Sequence, residues 1–236
     1  MNNYYVDRKK NLIKQFNKLS KKSKPILLKR FNREETDSII SESLENFEKI
    51  IPTLPYIGGK KNSGTMNLIG GAAFLAFIKS IEKYDIEERE IGKIIYEMLC
   101  AEFESRSKIL MKLLGKIMGS KIGKKLIKMK YKKNQFNNYE GGWENELILE
   151  ENPDFIVGIN VKKCGICKLY KEHDAEKYIP YMCLGDYPMF GSMGIELKRT
   201  KTIANGGDVC DFRLYKNGRT KNAWPPEKLT EWKNKS

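Results

Sequence analysis

R-T-K-T-I-A-N-G-G-D-V-C-D-F-R-L-Y, residues 199–215, decides how this chain folds. Apolar residues alternate with polar ones around its paired glycines, with Ile195 and Leu197 before them and Val209, Phe212 and Leu214 after. Alternation marks strands, and Asn205-Gly206-Gly207 offers the positive-φ freedom that a tight turn needs. The stretch therefore predicts two strands joined at the glycines, with the thiol of Cys210 between the carboxylates Asp208 and Asp211 near one end of a small sheet. A second thiol and carboxylate stand just upstream, in Cys183-Leu-Gly-Asp186. Thiols and carboxylates gathered in one place bind metals or attack electrophilic carbon.

Upstream the strand signal continues. Residues 154–161, D-F-I-V-G-I-N-V, read as a buried strand, and residues 143–149 as a weaker one. From Lys162 the spacing turns helical, which places Cys164 and Cys167 at a strand end or in a first helical turn, where the macrodipole favours thiolates. A polar linker, residues 134–142, separates this region from an N-terminal half of three-to-four apolar spacing. There the expected helices cover residues 36–50, capped by Thr36 or Asp37, then residues 64–84, the most apolar, and residues 87 to about 130 as one long or broken helix. The loop between the first two, I-P-T-L-P-Y-I-G-G-K-K-N over residues 51–62, reads as a connector whose backbone donors could also meet an anion. The expected fold is α+β, an N-terminal helical layer packed on a small antiparallel sheet from the C-terminal part. We expect a basic helical arm over residues 1–45, one domain over residues 46–225 and a polar tail over residues 226–236.

The formal charge of +14 is concentrated in two places. Residues 1–35 and 106–133 each carry eleven Lys or Arg, against three acids and none, so the cysteine-bearing region is slightly acidic. No zinc-finger spacing or RNP-like strand accompanies the lysines, and a nucleic-acid partner is disfavoured because it would rest on charge alone. Gly115, Gly119 and Gly123 recur every fourth residue and are expected to share one face, where an internal crossing or a homodimer contact would put them. The apolar residues between Ile109 and Ile127, interleaved with lysines, suit either a core face or a membrane-surface helix, and the core is the expected use. The longest apolar run, residues 66–78, is too short for a bilayer, and the N-terminus carries no apolar leader, so a cytoplasmic protein without a transmembrane segment is expected.

Five cysteines without an export signal argue for reduced thiols. Cys100 suits the core. Cys164, Cys167, Cys183 and Cys210 have the spacing C-x2-C-x15-C-x26-C, so zinc or iron bound by these four is an alternative to a site without a cofactor. His173 is the only histidine and lies among charged residues, so a carboxylate is the natural base. Asp186, three residues from Cys183, is the first candidate. Asp211 reads equally as a structural partner of Arg199 or Arg213.

These pieces resemble the L-2-amino-thiazoline-4-carboxylic acid hydrolases over roughly residues 50–215. The carriers are the glycine-containing loop at residues 51–62, the helices after it, a strand leading into Cys164, the C-x-x-D of Cys183 to Asp186, and the stretch quoted first. The G-G-D-x-C-x-F ending is also similar to that of small-molecule binding domains of the 4-vinyl reductase type, which implies a helical layer against an antiparallel sheet. The resemblance implies a hydrolase acting on a small cyclic amidine, with attack at the carbon bonded to nitrogen and sulfur and expulsion of the thiolate. Cys183 would serve as nucleophile or metal ligand and Asp186 as base, with Cys164 and Cys210 completing the catalytic set. Arg199 or Lys201 would anchor the substrate carboxylate, and Asn205 and Asp208 would contact the substrate. The rival is a non-catalytic small-molecule or metal sensor. The chain departs from the simplest family pattern in the extra thiol at Cys167 and in its very basic helices.

Overall fold

The computed structural model describes residues 3–134, 139–150, 152–216 and 218–233. Part of the expected linker (residues 135–138) and the end of the expected tail (residues 234–236) lie outside the described residues. In chain order the elements are α1 (Lys9–Leu27), α2 (Arg33–Ile50), α3 (Gly64–Ile81), α4 (Glu88–Glu104), α5 (Lys108–Gly119), α6 (Lys121–Asn134), β1 (Glu144–Ile148) and β2 (Phe155–Lys163). There follow α7 (Gly165–Lys171), α8 (Ile179–Cys183), α9 (Asp186–Ser192), β3 (Ile195–Lys198), β4 (Cys210–Lys216) and α10 (Thr230–Lys233). The fold is α+β, with an N-terminal helical region and an antiparallel sheet in the C-terminal part. Two compact units divide the chain: residues 1–102, 139–142 and 165–182 form the first, and residues 103–138, 143–164 and 183–236 the second.

The first unit is built around α3. Leu68, Ala72, Leu75, Phe77 and Ile81 are all buried, because a helix apolar on every side can only be surrounded. Phe16 of α1 stacks between Phe47 of α2 and Phe77 of α3, at centroid separations of 4.9 and 5.2 Å. The cap of α2 is Asn32, not Thr36 or Asp37. Its side chain accepts from the Glu35 N–H while the Glu35 carboxylate accepts from the Asn32 N–H, a reciprocal pair that satisfies two donors where Asp37 would satisfy one. Arg30 closes the α1–α2 corner onto α4, reaching Glu90 at 2.8 Å and both carboxylate oxygens of Glu97 at 2.8 and 3.0 Å. In the loop at residues 51–62 the donors facing α3 are consumed locally: the N–H groups of Asn62 and Thr65 donate to Gly59 O and Asn62 O, and that of Gly64 to Asn62 Oδ1.

The second unit holds the sheet, ordered β1-β2-β4-β3 and antiparallel throughout. The strands on either side of the paired glycines do pair, with Leu197 opposite Leu214 and Lys198 opposite Arg213. They are joined by residues 199–209 rather than by a tight turn. A single helical turn over Ile203–Asn205 is capped by the Thr202 hydroxyl, and only Gly206 has positive φ, at 88°. Val161 of β2 faces Cys210 at the start of β4, so the C-terminal end of β2, the C-terminal end of β3 and the start of β4 share one end of the sheet. Cys164, Arg199 and Cys210 therefore gather there.

Expectation and structure differ most over residues 87–130. The run is broken into three helices, the second of the two expected alternatives, and Gly115 and Gly119 share a face of α5 that Gly123, in α6, does not join. Gly115 of α5 lies against the carbonyl of Met193, Gly119 near Ile156 and Lys216, and Gly123 of α6 against the carbonyl of Ile117. Nor are the apolar residues there a core face. Met111 is buried, but Ile109, Leu113, Ile117, Ile122 and Leu126 are exposed. The inward side of α5 is narrow because it meets the sheet and α9 through Met111, Gly115 and Gly119, leaving most of its circumference outside.

One helix among the described residues, Gly64–Ile81, is long and apolar enough to cross a membrane, and 72% of it is buried inside the protein.

Candidate active site

Arg199 is the centre of the cluster. It follows the last residue of β3, which turns its side chain inward beneath α9, and that side chain is 0% exposed. Four hydrogen bonds surround the guanidinium. Nε donates to Glu231 Oε2 at 2.7 Å, Nη2 to Glu231 Oε1 at 2.7 Å and to the carbonyl of Cys183 at 2.9 Å, and Nη1 to Asp186 Oδ2 at 2.6 Å. The ring of Phe212 lies 4.8 Å from the guanidinium carbon. A buried arginine needs this many acceptors, since its charge has no water to lean on. Its charged form is held well beyond the ordinary range: burial opposes that form, and the bonds to Glu231 and the charge of Asp186 outweigh burial.

Glu231 is the residue that sequence reading missed. It lies on the four-residue helix α10, in the segment expected to be a polar tail, and is 1% exposed. Besides its fork with Arg199 it accepts from the Tyr187 phenol at 3.0 Å, and its backbone carbonyl accepts from Asn205 Nδ2 at 3.0 Å. The only signal was local: Leu229 and Trp232 flank it, so the segment carries apolar residues that a solvated tail does not need.

Asp186, the first residue of α9, keeps 29% of its side-chain surface open to solvent. Its carboxyl is pushed above the usual carboxylate range, chiefly by burial and secondarily by the charge of Glu231, with Arg199 pulling the other way. One cation serving two carboxylates explains the outcome: Glu231 takes two of the fork's bonds and leaves Asp186 one. Cys183 ends α8 one short turn earlier. Burial pushes its thiol well above the ordinary range, the Arg199 charge opposes this, and the neighbouring Cys210, Asp186 and Cys164 reinforce it. Cys210 is raised to about 11, mainly by burial, although its Sγ accepts the Ile203 N–H at 3.3 Å. All five cysteines are thiols rather than disulfides.

Of the residues expected to act, Cys183, Asp186, Arg199, Cys210 and Cys164 meet around one centre. Asn205 joins it through Glu231, and its Oδ1 is buried with no hydrogen-bond partner among the described residues. Lys201 and Asp208 do not join. They pair with each other at the surface, 2.5 Å apart. Asp211 is structural, as one reading held, but for other partners: it accepts from the N–H groups of Thr200 and Lys201 and from the Thr200 hydroxyl, not from Arg199 or Arg213. Cys167 lies in α7 and belongs to the first unit, as do Cys100 and His173. Among the described residues no group of three or more His, Cys, Asp or Glu is arranged to hold a metal ion.

Fold and cluster together define a class, an α+β protein with a thiol–carboxylate site organised by an enclosed arginine at one end of an antiparallel sheet. The chain belongs to the L-2-amino-thiazoline-4-carboxylic acid hydrolase family, whose model matches residues 66–214. The matched stretch contains Cys164, Cys183, Asp186, Arg199 and Cys210 and stops short of Glu231. No curated protein and no solved structure matches the chain.

Proposed function

We propose that the protein hydrolyses a small cyclic amidine of the 2-amino-thiazoline-4-carboxylate kind, with Asp186 as the group that moves the proton. The observation that carries this reading is the mostly buried but still accessible Asp186 carboxyl, fixed by Arg199 beside Cys183 and raised in pKa. A carboxylate so placed is a stronger base than one in water and is held at a defined angle. In the reaction it takes a proton from a water whose oxygen bonds to the ring carbon between nitrogen and sulfur. The tetrahedral adduct then breaks its carbon–sulfur bond, and the proton held by Asp186 passes to the departing sulfur, leaving an N-carbamoyl amino acid with a free thiol.

Cys183 enters this scheme as a neutral thiol lining the centre. Burial raises its pKa, so little thiolate exists near neutral pH, and the thiolate is the nucleophile. Arg199 positions Asp186. Four of its five N–H donors are engaged inside the protein, which leaves one hydrogen on Nη1 for a substrate carboxylate, while Lys201 stays apart in its surface pair with Asp208. The buried Oδ1 of Asn205 is the acceptor suited to the N–H of a protonated amidine.

Turnover of 2-amino-thiazoline-4-carboxylate, followed by chromatography of the N-carbamoyl product, tests the scheme. Asp186→Asn lowers kcat/KM by about a hundredfold or more, the usual worth of a positioned acid–base group, while Cys183→Ser keeps most of the activity. The reverse order would make the thiol the nucleophile. Elemental analysis of protein purified without chelator accompanies the assay, because stoichiometric zinc or iron would transfer water activation from Asp186 to the ion. A binding-only function, like that of the 4-vinyl reductase type of domain, draws on the G-G-D-x-C-x-F ending at Gly206 to Phe212. Saturable binding of the amidine without any product would support that reading instead.

A further inference from the structure

Helices α5 and α6 present an apolar surface that the second unit does not cover. On α5 successive residues are set about 100° apart, so Ile109, Leu113 and Ile117, with the two leucines that follow the first pair, span an arc of about 140°. Met111 and Gly115 occupy the opposite side, where the helix meets the sheet and α9. Ile109 is 83% exposed. On α6, Ile122, Leu126 and Met129 recur at i, i+4 and i+7 and form one stripe, with Ile122 72% exposed. Lysines flank both stripes: Lys112 and Lys116 on α5, and Lys125, Lys128 and Lys130 on α6, all exposed. Residues 106–133 contain eleven basic residues and no acid.

We propose that α5 and α6 lie on an anionic lipid surface, with the apolar stripes in the acyl boundary and the lysines at the headgroups. Charge selects this occupant. A second copy docking through the same face would set Lys112, Lys116, Lys125, Lys128 and Lys130 against the same lysines, with no acid in residues 106–133 to pair them. A nucleic acid would accept the lysines, but it has no use for exposed Ile, Leu and Met, since base stacking calls for aromatic rings. An interfacial helix needs both features on adjoining faces: aliphatic residues wide enough to insert, and long cationic side chains whose stems lie along the apolar boundary while their ends stay in water. Cations near such a surface each contribute about fivefold to partitioning. The absence of acid over both helices then becomes a requirement rather than a compositional accident.

Sedimentation of the full chain with sucrose-loaded vesicles tests this. Vesicles with about 30% phosphatidylglycerol should bind at least about tenfold more tightly than phosphatidylcholine alone, and raising salt to about 0.5 M should weaken but not abolish that binding. The triple variant Ile109→Ser, Leu113→Ser, Ile117→Ser removes only exposed side chains and should lose the salt-resistant part. Lys112→Gln, Lys116→Gln, Lys125→Gln and Lys128→Gln together should lose the preference for anionic lipid, and circular dichroism of both variants should match the parent. Three results would overturn the proposal: equal or no binding to the two vesicle types, binding that the apolar triple leaves unchanged, or a solution dimer that the triple dissociates without any vesicle binding. Retention on single-stranded RNA in place of vesicles would do the same.

Discussion

Asp186 carries a stability signature separable from its chemistry. Its carboxyl is raised in the folded protein, so the native state holds a proton that the unfolded chain releases from its ordinary value near 3.8 upward. Stability from this group is complete below that value and is lost as pH rises through the raised native value. Asp186→Asn removes the titration, and its amide oxygen can still accept from Arg199 Nη1. Thermal melts of the two proteins should therefore differ least near pH 4 and diverge toward pH 7, with the variant gaining relative to the parent while its turnover is lost. A parent that gained on the variant over that range would mean that Arg199 dominates and that the carboxyl is depressed. Such opposition between stability and activity is common where a group is held in a costly state for use.

At the scale of single elements, two helical glycines with the same intrinsic preference should respond oppositely to alanine. Gly92 in α4 faces the ring of Tyr181, and an added Cβ would lie 2.3 Å from that ring's Cδ1. Tyr181 is itself buried, so the ring has little room to yield. Overpacking of this kind costs about 1–3 kcal/mol and exceeds the ~1 kcal/mol by which alanine favours a helix interior. Gly70 in α3 has nothing within 4 Å of its added Cβ. Gly92→Ala should lower the melting temperature by a few degrees and Gly70→Ala raise it by about 2–4 °C. Equal shifts would show that helix propensity, not the α4–Tyr181 contact, controls both positions.

For the molecule as a whole, local pattern was legible and long-range pairing was not. Helices α2, α3 and α4 and strands β1, β2 and β4 follow from periodicity, because each side chain's environment repeats within its own element. The nearness of the Cys183–Asp186 pair to Cys210 was legible because they stand beside a strand signal. The role of Arg199 was not: an arginine after a strand reads as solvated until Glu231, 32 residues later, is known to enclose it. The exposed stripes of α5 and α6 were misread for a related reason, since apolar spacing reports amphipathicity but not what covers the face. Glu231 makes the cost of this blindness measurable. Ending the chain at residue 225 removes a segment that reads as a tail, and with it three acceptors: the fork to Arg199, the partner of the Tyr187 phenol and the carbonyl bonded to Asn205. A buried charge stripped of its main partner costs about 3–5 kcal/mol, and each orphaned donor costs about 1–3 kcal/mol more. The truncated protein should therefore melt about 10 °C or more below the full chain. Full-length Glu231→Gln, which keeps the packing and one acceptor for Arg199, should fall between the two. A truncated protein melting within about 2 °C of the full chain would mean that the last helix is solvated and that Arg199 rests on Asp186 and the Cys183 carbonyl alone.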